Sequence, residues 1–478
     1  MARQDKTTED NSIETSADEA KGSKPGAEAV DLTRRTLLRG AAGAAAAIGG
    51  AGAAAAQGNE WWESILGAPR RSAPRREPVA ARQERVKRQS GPPQDLRPGS
   101  VPWRSDEMLD AMDQAIAKYE RVVRKGDWPR IPRGRFVRVG GYDERMPRVR
   151  RRLFLSGELS QDGARRYDGS TEFDRWLEVA VKRFQQSHGL RVTGFLNRST
   201  IAQLNVSAEE RLAQLKLNRR RIVALVNRRV EDRYVLVNAA AFQLEAVERY
   251  QVQRRHRVIV GKADRQTPEI QAQIQGLNFF PFWRVPESVA SKDLIPRIRK
   301  EPDFLSKEHI RLVEGNFNGP EIDPQTIDWN AVDTNRVKFK QDPGPWNALG
   351  LLRINMPNKE IVYMHDTPMK PLFNQRLRAF SAGCVRVQDV FKLGAWIASY
   401  EPGFDEAEAR VMSIINDQQP VNIKLTRPIP VYFTYLTAWA ELDGSIEFRP
   451  DIYGRDGAAA LRGENDEDAF RPGFTLSP

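Results

Sequence analysis

A single cysteine, Cys384, is the residue of this 478-residue chain best suited to covalent chemistry, because the sequence contains no second thiol. Its neighbours are small or cationic rather than apolar, in the segment Ser381-Ala382-Gly383-Cys384-Val385-Arg386. A glycine before a nucleophile lets a substrate approach closely and leaves backbone N–H groups free to face a developing oxyanion. A thiol becomes a strong nucleophile when a base or a positive charge favours its thiolate. The alternative is that Cys384 is a small buried hydrophobic residue.

His365 is the candidate base, and it precedes Cys384 by 19 residues. It ends a predicted strand in which Ile361, Tyr363 and His365 share one face, because strand side chains alternate. The segment 366–368, Asp-Thr-Pro, then turns the chain, which places the imidazole at a strand end that faces a loop. The alternative is an ordinary surface histidine, since one histidine before one cysteine is a weak signal.

Arg386 follows the candidate nucleophile by two residues. If residues 384–387 are extended, Arg386 and Cys384 share a face, and the guanidinium can lower the pKa of the thiol and hold a substrate carboxylate. The alternative is a solvated strand arginine, which is common in a chain with 75 Lys and Arg residues.

Helical patterns precede these residues. Ser105 is placed to cap a helix, and the spacings of Thr171 with Asp174 and of Ser207 with Glu210 are those of capping boxes, which predicts helices that begin at both. A short helix is also predicted to open at 199–201 and to end near residue 204. The predicted apolar faces of the first two helices are Leu109, Met112, Ile116, Tyr119 and Val123, and Phe173, Trp176, Leu177, Ala180 and Phe184.

From residue 233 the apolar period changes to two, which is typical of strands. The predicted strands are 234–237, 242–244, 257–260, 361–365 and 430–433. Residues 288–345 interrupt them with proline-rich, charged, partly helical sequence, and a segment of this length inside a domain is often a lid. The sequence therefore predicts a mostly β domain over about 230–445 that carries an insertion.

Composition excludes several classes of protein. Hydrophobic residues make up 40% of the chain, which is enough to form cores and excludes a wholly disordered protein. The mean hydropathy of −0.58 argues against a polytopic membrane protein. One cysteine excludes an internal disulfide and a cysteine-based zinc site, and the four histidines lie too far apart for metal-ligand spacing. The formal net charge of +12 fits an anionic partner.

The first 56 residues have the pattern of a twin-arginine export signal. Arg34 and Arg35 precede a weakly apolar run of alanine and glycine that ends in Ala-x-Ala, which indicates export to a bacterial envelope. The alternative is a transmembrane anchor. Residues 57–102 are rich in arginine and proline and are predicted to be a linker, with contact to an anionic polymer or to lipid headgroups as the alternative. Export removes nucleic acid from the predicted partners despite the positive charge.

Two segments around Cys384 and His365 resemble the active-site signature of the L,D-transpeptidases, whose catalytic domain is of the YkuD type. They are residues 363–368, Tyr-Met-His-Asp-Thr-Pro, and residues 378–387, Arg-Ala-Phe-Ser-Ala-Gly-Cys-Val-Arg-Val. Residues 278–286, 341–350 and 435–439 are similar to the large periplasmic branch of that family. In that branch a helical scaffold and a peptidoglycan-binding module precede the catalytic domain, and a capping subdomain is inserted into it.

The resemblance implies an α+β multidomain fold. A helical scaffold and a three-helix peptidoglycan-binding module precede a mostly β, YkuD-like catalytic domain with a capping insertion. The predicted boundaries are 1–56 for the signal, 57–102 for the linker, 103–166 and 206–232 for the scaffold, 167–205 for the module, 233–455 for the catalytic domain with its insertion at about 288–345, and 456–478 for a flexible tail.

The resemblance also implies a reaction. Cys384 attacks the stem tetrapeptide at the bond between position 3 and D-Ala, its N–H and that of Gly383 hold the oxyanion, and His365 serves as general base and acid. The resulting thioester passes to an amine of a second stem, which gives a 3→3 cross-link in cell-wall biosynthesis and so contributes to cell shape. No metal or organic cofactor is implied. The predicted substrate-binding residues are Arg386, Ser381, Tyr363 and Asn347.

The chain departs from the commonest family signature at two positions. Ala382 stands where histidine is usual, and Arg386 stands where asparagine is usual, although the large branch tolerates both changes. The first departure removes one group that would orient the site, so His365 is expected to act as the base without a second histidine in the motif.

Alternatives remain open at the level of the sequence. The same donor chemistry serves lipoprotein attachment or D-amino-acid exchange, because only the acceptor differs. A non-catalytic wall-binding scaffold is the alternative from another class. The predicted partners are peptidoglycan stem peptides and the sacculus, with a membrane reached only through the export signal. The predicted location is the periplasm, and the oligomeric state is left open.

Overall fold

The computed structural model describes residue 96 and residues 101–166, 168–227 and 231–457. The predicted export signal, almost all of the predicted linker and most of the predicted tail lie outside the described residues. Within those described ranges, no helix is both long enough and apolar enough to cross a membrane.

The first helices form the predicted scaffold and module. The oxygen of the Ser105 side chain accepts a hydrogen bond from the N–H of Met108, which caps the first helix as predicted. The capping box of Ser207 and Glu210 is also present. The helices are α1 (Asp106–Arg124), α2 (Met146–Ser156), α3 (Gln161–Arg166), α4 (Arg175–Ser187), α5 (Arg198–Leu204) and α6 (Ala208–Val226).

The predicted helix start at Thr171 is wrong. The backbone carbonyl of Thr171 accepts a hydrogen bond from the N–H of Asp143 at 2.8 Å, so this residue is extended. Asp174 is itself the N-cap of α4, and its carboxylate accepts from the N–H groups of Trp176 and Leu177 at 2.7 and 3.1 Å. Trp176, predicted on the apolar face, is 41% exposed.

The predicted catalytic domain is built on one large sheet whose pairings close into a ring. The order is β3-β12-β10-β9-β4-β13-β1-β2, and β2 pairs back onto β3, while β11 pairs with the far end of β3. The strands of this sheet are β1 (Arg233–Asn238), β2 (Gln243–Glu248), β3 (Gln251–Gly261), β4 (Ile270–Phe279), β9 (Leu352–Asn355), β10 (Met364–His365), β11 (Ala379–Ser381), β12 (Val385–Val387) and β13 (Val421–Thr434).

The insertion has a sheet of its own, with strand order β5-β8-β6-β7. Its elements are β5 (Trp283–Arg284), α7 (Glu287–Val289), a π-helical turn (Ala290–Leu294), α8 (Ile295–Ile298), α9 (Phe304–Lys307), β6 (Ile310–Glu314), β7 (Glu321–Ile322), a 3₁₀ turn (Pro324–Thr326) and β8 (Val337–Gln341). After it come a 3₁₀ turn (Lys370–Asn374), α10 (Val390–Ala398), α11 (Ala407–Asp417), β14 (Ala438–Ala440) and β15 (Ile446–Phe448).

The buried apolar residues form several cores. One lies inside the ring and against α10 and α11, and a second fills the insertion. A third joins α1 and α6 to β14 and β15. A fourth holds α2, α4 and α5 together and begins at Ile131, well before the predicted module boundary at residue 167. The structure therefore has the α+β architecture predicted from the sequence, with helices first and a mostly β domain after them.

Candidate active site

The strands of the ring bring the predicted site residues together. β10 and β12 are parallel neighbours, and their register pairs Met364 with Val385 and His365 with Arg386. Cys384 immediately precedes β12, so the predicted nucleophile, the predicted base and the predicted cation lie on two adjacent strands, within two residues of one another in register. Segments 20 residues apart in sequence are thereby joined by main-chain pairing rather than by side chains alone.

The strand predicted over 361–365 is shorter than expected, and Ile361 does not share a face with His365. The side-chain amide of Asn358 donates to the carbonyl of Val362 at 2.6 Å, and its oxygen accepts from the N–H of Val362 at 3.3 Å. These bonds hold the segment in a turn in place of a strand ladder. Ile361 is consequently 73% exposed and has a φ of 54°.

The turn before Cys384 is fixed from two sides. Gly383 has a φ of 120°, which a side chain disfavours, and this explains the glycine. The hydroxyl of Ser381 donates to the carbonyl of Cys384 and accepts from the N–H of Gly383 at 3.2 Å. The hydroxyl of Thr267 donates to the carbonyl of Gly383 at 2.8 Å. Ser381, predicted to bind substrate, is buried and serves in this structure to shape the turn.

These bonds bear on the predicted oxyanion hole. The N–H of Gly383 is engaged by Ser381, so it is not free in this structure. The N–H of Cys384 makes no hydrogen bond with any described residue. Of the two predicted donors, the N–H of Cys384 is therefore the one ready to receive an oxyanion.

The thiol of Cys384 contacts Tyr363. Burial raises the pKa of Cys384 to about 11, although hydrogen bonds from the backbone and the hydroxyl of Tyr363 and the charge of Arg386 act in the opposite direction. Burial also raises the pKa of the Tyr363 hydroxyl, which in addition hydrogen-bonds with Trp283 of β5. Tyr363 thus links the nucleophile to the insertion, and at neutral pH the thiol is protonated.

His365 is buried, and its ring orientation is fixed. Its Nδ1–H donates to the carbonyl of Asp366, which leaves Nε2 as the basic nitrogen. Burial and then the charge of Arg386 lower the pKa of His365 to about 3, while the carbonyls of Asp366 and Leu349 favour the protonated ring. No hydrogen bond joins His365 to Cys384 in the part of the chain that the structure describes. The resting pair is a neutral imidazole and a neutral thiol.

Arg386 is a buried cation without a carboxylate partner among the described residues. It is 3% exposed, its Nη1 lies 4.0 Å from the sulfur of Met369, and its Nε has no hydrogen-bond partner there. Burial lowers the pKa of Arg386 to about 10, and the nearby Cys384 opposes that shift. A charged group that is desolvated and unpaired is costly, so this arginine is poised to meet an anion.

Asn347 organises a loop beside His365. It is fully buried, and its amide nitrogen donates to the carbonyls of Pro281 at 3.1 Å and Asp342 at 2.9 Å. Its oxygen accepts from the N–H of Leu349 at 2.8 Å, which positions the carbonyl that faces His365. Both N–H donors of the amide are thus engaged and the side chain is fully buried, so its predicted role in substrate binding has no support in the geometry.

Asp366 holds the other end of this loop. Its carboxylate accepts from the N–H of Leu351 at 3.0 Å and from Lys370. A Cβ at Gly350, whose φ is 60°, would collide with that carboxylate, so both space and conformation require glycine there. The loop 347–351 is thus clamped against the histidine.

Sequence reasoning missed Thr267 and Tyr453. The oxygen of the Thr267 side chain accepts from the N–H of Gly261 at 2.9 Å, and the Tyr453 hydroxyl donates to the carbonyl of Gly261 at 2.7 Å. These residues tie the end of β3 to the turn at Gly383. They lie 116 and 70 residues from Gly383 in the sequence, so no local pattern identifies them.

No group of three or more His, Cys, Asp or Glu residues among the described residues is arranged to hold a metal ion. A polar cavity of about 440 Å³ is lined by Glu231, Gln271, Ala272, Gln273, Gln275, Pro357 and Pro430, none of which is a predicted site residue.

Comparison with known proteins assigns two segments of the chain. Residues 232–423 match the YkuD family, described as "L,D-transpeptidase catalytic domain". Residues 158–204 match a family described as "Putative peptidoglycan binding domain". A protein of Haemophilus influenzae named "Putative L,D-transpeptidase" is 31% identical over 294 residues, which are 59% of this chain and 57% of that protein. The chain thus spans little more than half the length of this relative.

Solved structures give weaker matches. An L,D-transpeptidase of Stackebrandtia nassauensis has 11% identity and a TM-score of 0.23, with 62% of this chain and 97% of that chain covered. One of Xylanimonas cellulosilytica has 11% identity and a TM-score of 0.20, with 63% and 99% covered. At such scores the superpositions carry no argument about the site.

The family resemblance predicted from the sequence is confirmed by the two family matches. The match at 232–423 covers Cys384, His365 and Arg386, and the match at 158–204 covers helices α3, α4 and α5. The chain therefore contains a YkuD-type L,D-transpeptidase catalytic domain, preceded by a peptidoglycan-binding domain.

Proposed function

We propose that this protein is a cysteine L,D-transpeptidase of the bacterial envelope that forms 3→3 cross-links in peptidoglycan. The observation that carries the proposal is the pairing of β10 with β12, which sets His365 and Arg386 side by side next to the only thiol of the chain. The peptidoglycan-binding domain supports peptidoglycan as the partner.

The donor step begins with a neutral thiol and a neutral imidazole. As the sulfur of Cys384 attacks the carbonyl carbon of the position-3 residue, the thiol proton moves to His365 and the carbonyl oxygen becomes an oxyanion near the N–H of Cys384. When the tetrahedral intermediate collapses, the C–N bond breaks, and the imidazolium returns the proton to the amine of the departing D-Ala. A thioester on Cys384 remains.

The acceptor step reverses these roles. A neutral amine of a second stem attacks the thioester, His365 takes the proton of that amine, and the C–S bond breaks to leave a thiolate. The proton on His365 then restores the thiol. Because imidazole is the base in both halves, its fixed Nδ1–H bond to Asp366 keeps Nε2 available throughout.

Arg386 has two tasks in this scheme. Its positive charge favours the thiolate that forms during attack, which opposes the effect of burial on Cys384. It is also a buried cation that has no carboxylate partner among the described residues and that a stem carboxylate would neutralise. Tyr363 completes this side of the site, because its hydroxyl contacts both the thiol and Trp283 of the insertion.

Incubation of purified protein 57–478 with disaccharide-tetrapeptides tests the proposal. We expect cross-linked dimers with the mass of two tetrapeptides minus one D-Ala, and none with Cys384→Ala. Addition of a free D-amino acid or of a lipoprotein C-terminal peptide distinguishes the alternative acceptors. Products only with one of these acceptors would replace the 3→3 assignment, and no thioester with any donor would overturn the enzyme itself.

The proposed location follows from the same domains. Proteins that act on peptidoglycan work outside the cytoplasm, which agrees with the twin-arginine pattern at Arg34 and Arg35. That signal lies outside the described residues, so its test is genetic and is given in the Discussion.

A further inference from the structure

A pair of aromatic rings, Phe136 exposed and Phe195 half-buried, lies on the helical part of the chain. Val137 forms an antiparallel bridge with Leu196, and both side chains are buried. Because side chains alternate along an extended segment, the neighbours Phe136 and Phe195 point to the other side. Their ring centroids are 4.9 Å apart, and Phe136 remains 54% exposed. Phenylalanine normally fills protein cores, so an exposed phenylalanine ring packed against a second one is unusual.

Arginines flank these rings. Arg138 occupies the same side of the bridge as Phe136 and is exposed, and its guanidinium makes no hydrogen bond or ion pair with the described residues. The guanidinium of Arg135 donates to the carbonyl of Tyr142 at 2.7 Å, and its Nε lies 3.6 Å from the carboxylate of Asp143, while its side chain stays 74% exposed. Tyr142 is itself 63% exposed. We name the four side chains Phe136, Phe195, Arg135 and Arg138 the aromatic–arginine surface.

Its chemistry matches one kind of polymer. A pyranose ring presents C–H groups on a flat face, and such a face packs on an exposed aromatic ring. Guanidinium groups pair with carboxylates, which the stem peptides of peptidoglycan carry at regular intervals. We propose that the aromatic–arginine surface binds a glycan strand of peptidoglycan, with a sugar ring over Phe136 and Phe195 and stem carboxylates at Arg135 and Arg138. This inference rests on the proposed function.

The surface extends beyond the peptidoglycan-binding domain as matched. That match covers 158–204 and so includes Phe195, whereas Phe136, Arg135 and Arg138 precede it. The same core contains residues from both segments, from Ile131 to Leu204, so the two are packed as one body. The strand-binding face is therefore built by the matched domain together with the segment before it.

Charge argues against occupation by the chain's own linker. Residues 70–88 contain eight Arg and Lys residues and two Glu residues, so this segment would be repelled by Arg135 and Arg138. An acidic lipid surface would also attract these arginines, and the experiment includes it as a separate arm.

The test compares the double variant Phe136→Ala/Arg138→Ala with a matched control. The control is Arg249→Ala/Tyr250→Ala in the turn between β2 and β3, where Tyr250 is 62% exposed and Arg249 is also exposed. Each protein is assayed for binding to purified sacculi at low and high salt, for binding to phosphatidylglycerol vesicles, and for turnover of soluble disaccharide-tetrapeptide. Circular dichroism confirms that both variants are folded.

We expect the first variant to bind sacculi about tenfold more weakly, with a smaller salt dependence, and to retain wild-type turnover of the soluble substrate. The control should match wild type in every assay. Unchanged binding of the first variant to sacculi would overturn the inference, and so would a loss confined to the vesicles, which would assign the surface to lipid. Failure of the wild type to turn over soluble substrate would instead count against the proposed function. The comparison of sacculus binding between wild type and variant would still test the inference.

Discussion

His365 and Arg386 lie directly opposite each other in the parallel pair of β10 and β12. Burial, and then the fixed positive charge of Arg386, penalise protonation of the imidazole, and the pKa of His365 is accordingly lowered to about 3. The histidine is thus kept neutral and ready to accept a proton across the whole physiological range. The same arginine favours the thiolate of Cys384, so one cation promotes loss of the thiol proton while it weakens the basicity of the imidazole that receives it.

Cys384→Ala should abolish both donor cleavage and covalent capture of a carbapenem. No other thiol in the sequence can take its place. Mass spectrometry of the intact protein after incubation with the β-lactam reads the adduct directly, and thermal unfolding shows that the variant is folded. Turnover by the alanine variant at the wild-type rate would end the cysteine mechanism.

His365→Ala should lower the rate of acylation by roughly 100-fold, the usual contribution of a positioned general base. Ala382→His should not restore the rate in that background, because Ala382 belongs to the turn at Gly383 and not to β10. Stopped-flow acylation by a β-lactam measures both effects. Full rescue by the second change would place the base in the turn, and near-normal acylation without it would direct attention to His309.

Alkylation of the free enzyme by iodoacetamide should rise with pH without a plateau near neutrality. Since burial raises the pKa of Cys384 to about 11, the thiolate fraction grows about tenfold per pH unit below that value. The pKa of His365, about 3, adds no inflection between pH 5 and 8. A plateau that begins near pH 6 would instead reveal a preformed thiolate–imidazolium pair.

Arg386→Gln should slow alkylation at pH 8 by about tenfold, because loss of the charge raises the pKa of the thiol further. It should also raise KM for tetrapeptide donors, since their carboxylate loses its partner. Arg386→Lys is the informative control: it keeps the charge and so recovers alkylation, but its ammonium lacks the fork geometry and recovers KM only in part. Equal behaviour of the two variants in both assays would contradict this division of roles.

Acid should destabilise the fold in part through His256. Its Nδ1–H donates to the carbonyl of Gln388 at 2.8 Å, and burial lowers its pKa from 6.5 to about 4. The neutral form therefore contributes stability above pH 6.5 that is lost as the pH falls through 4, in total about 3 kcal/mol. Urea unfolding at pH 7.5 and pH 4.5 should show a smaller difference for His256→Gln than for wild type. His309→Gln, at an exposed position, should leave the difference unchanged.

Export should depend on Arg34 and Arg35. Changing both to lysine keeps the charge but removes the pair that the twin-arginine machinery reads. We expect the double-lysine protein to accumulate in the cytoplasm, which fractionation and immunoblotting measure. Normal periplasmic levels would show that another route carries the protein.

The sequence predicted best where a local rule acts alone. Ser105 and the pair Ser207–Glu210 cap their helices as expected, because a cap depends on residues within one turn. The helix start predicted at Thr171 was wrong, because Thr171 hydrogen-bonds with Asp143, 28 residues earlier in the chain, and the local spacing with Asp174 does not register that contact. The expected face of α1 was shifted by one position, so that Met108 is buried and Leu109 half-buried.

For the site, the motif around Cys384 and the histidine before it were found from residue types and the family resemblance. The hydrogen bonds that hold these residues in place could not be predicted from the sequence. Thr267 reaches the carbonyl of Gly383 across 116 residues, and Asn347 is saturated by main-chain partners. Both depend on the tertiary fold, which places chain segments together that no spacing rule connects.

Deletion of the predicted module, residues 167–205, would separate wall binding from catalysis only if this segment made no contact with the rest of the chain. In the structure it does make such contacts. The ring of His188 stacks on Phe184 and lies 5.1 Å from that of Phe448 in β15, and Arg449 donates to the carbonyl of Ser187 at 3.0 Å. Removing the segment would expose Phe448, so point changes on the aromatic–arginine surface are the cleaner probe.

The closed ring of strands also bears on how the protein behaves at high concentration. An open sheet edge is a template on which a strand of another molecule can add, which is how many β proteins aggregate. Here each strand of the ring is paired on both sides, because β2 pairs back onto β3. The outermost strands of the described sheets are very short: β11, β14 and β15 have three residues each, and β5 and β7 have two. A chain rich in β-structure can thus be stored and assayed in concentrated form with little tendency to form intermolecular sheet.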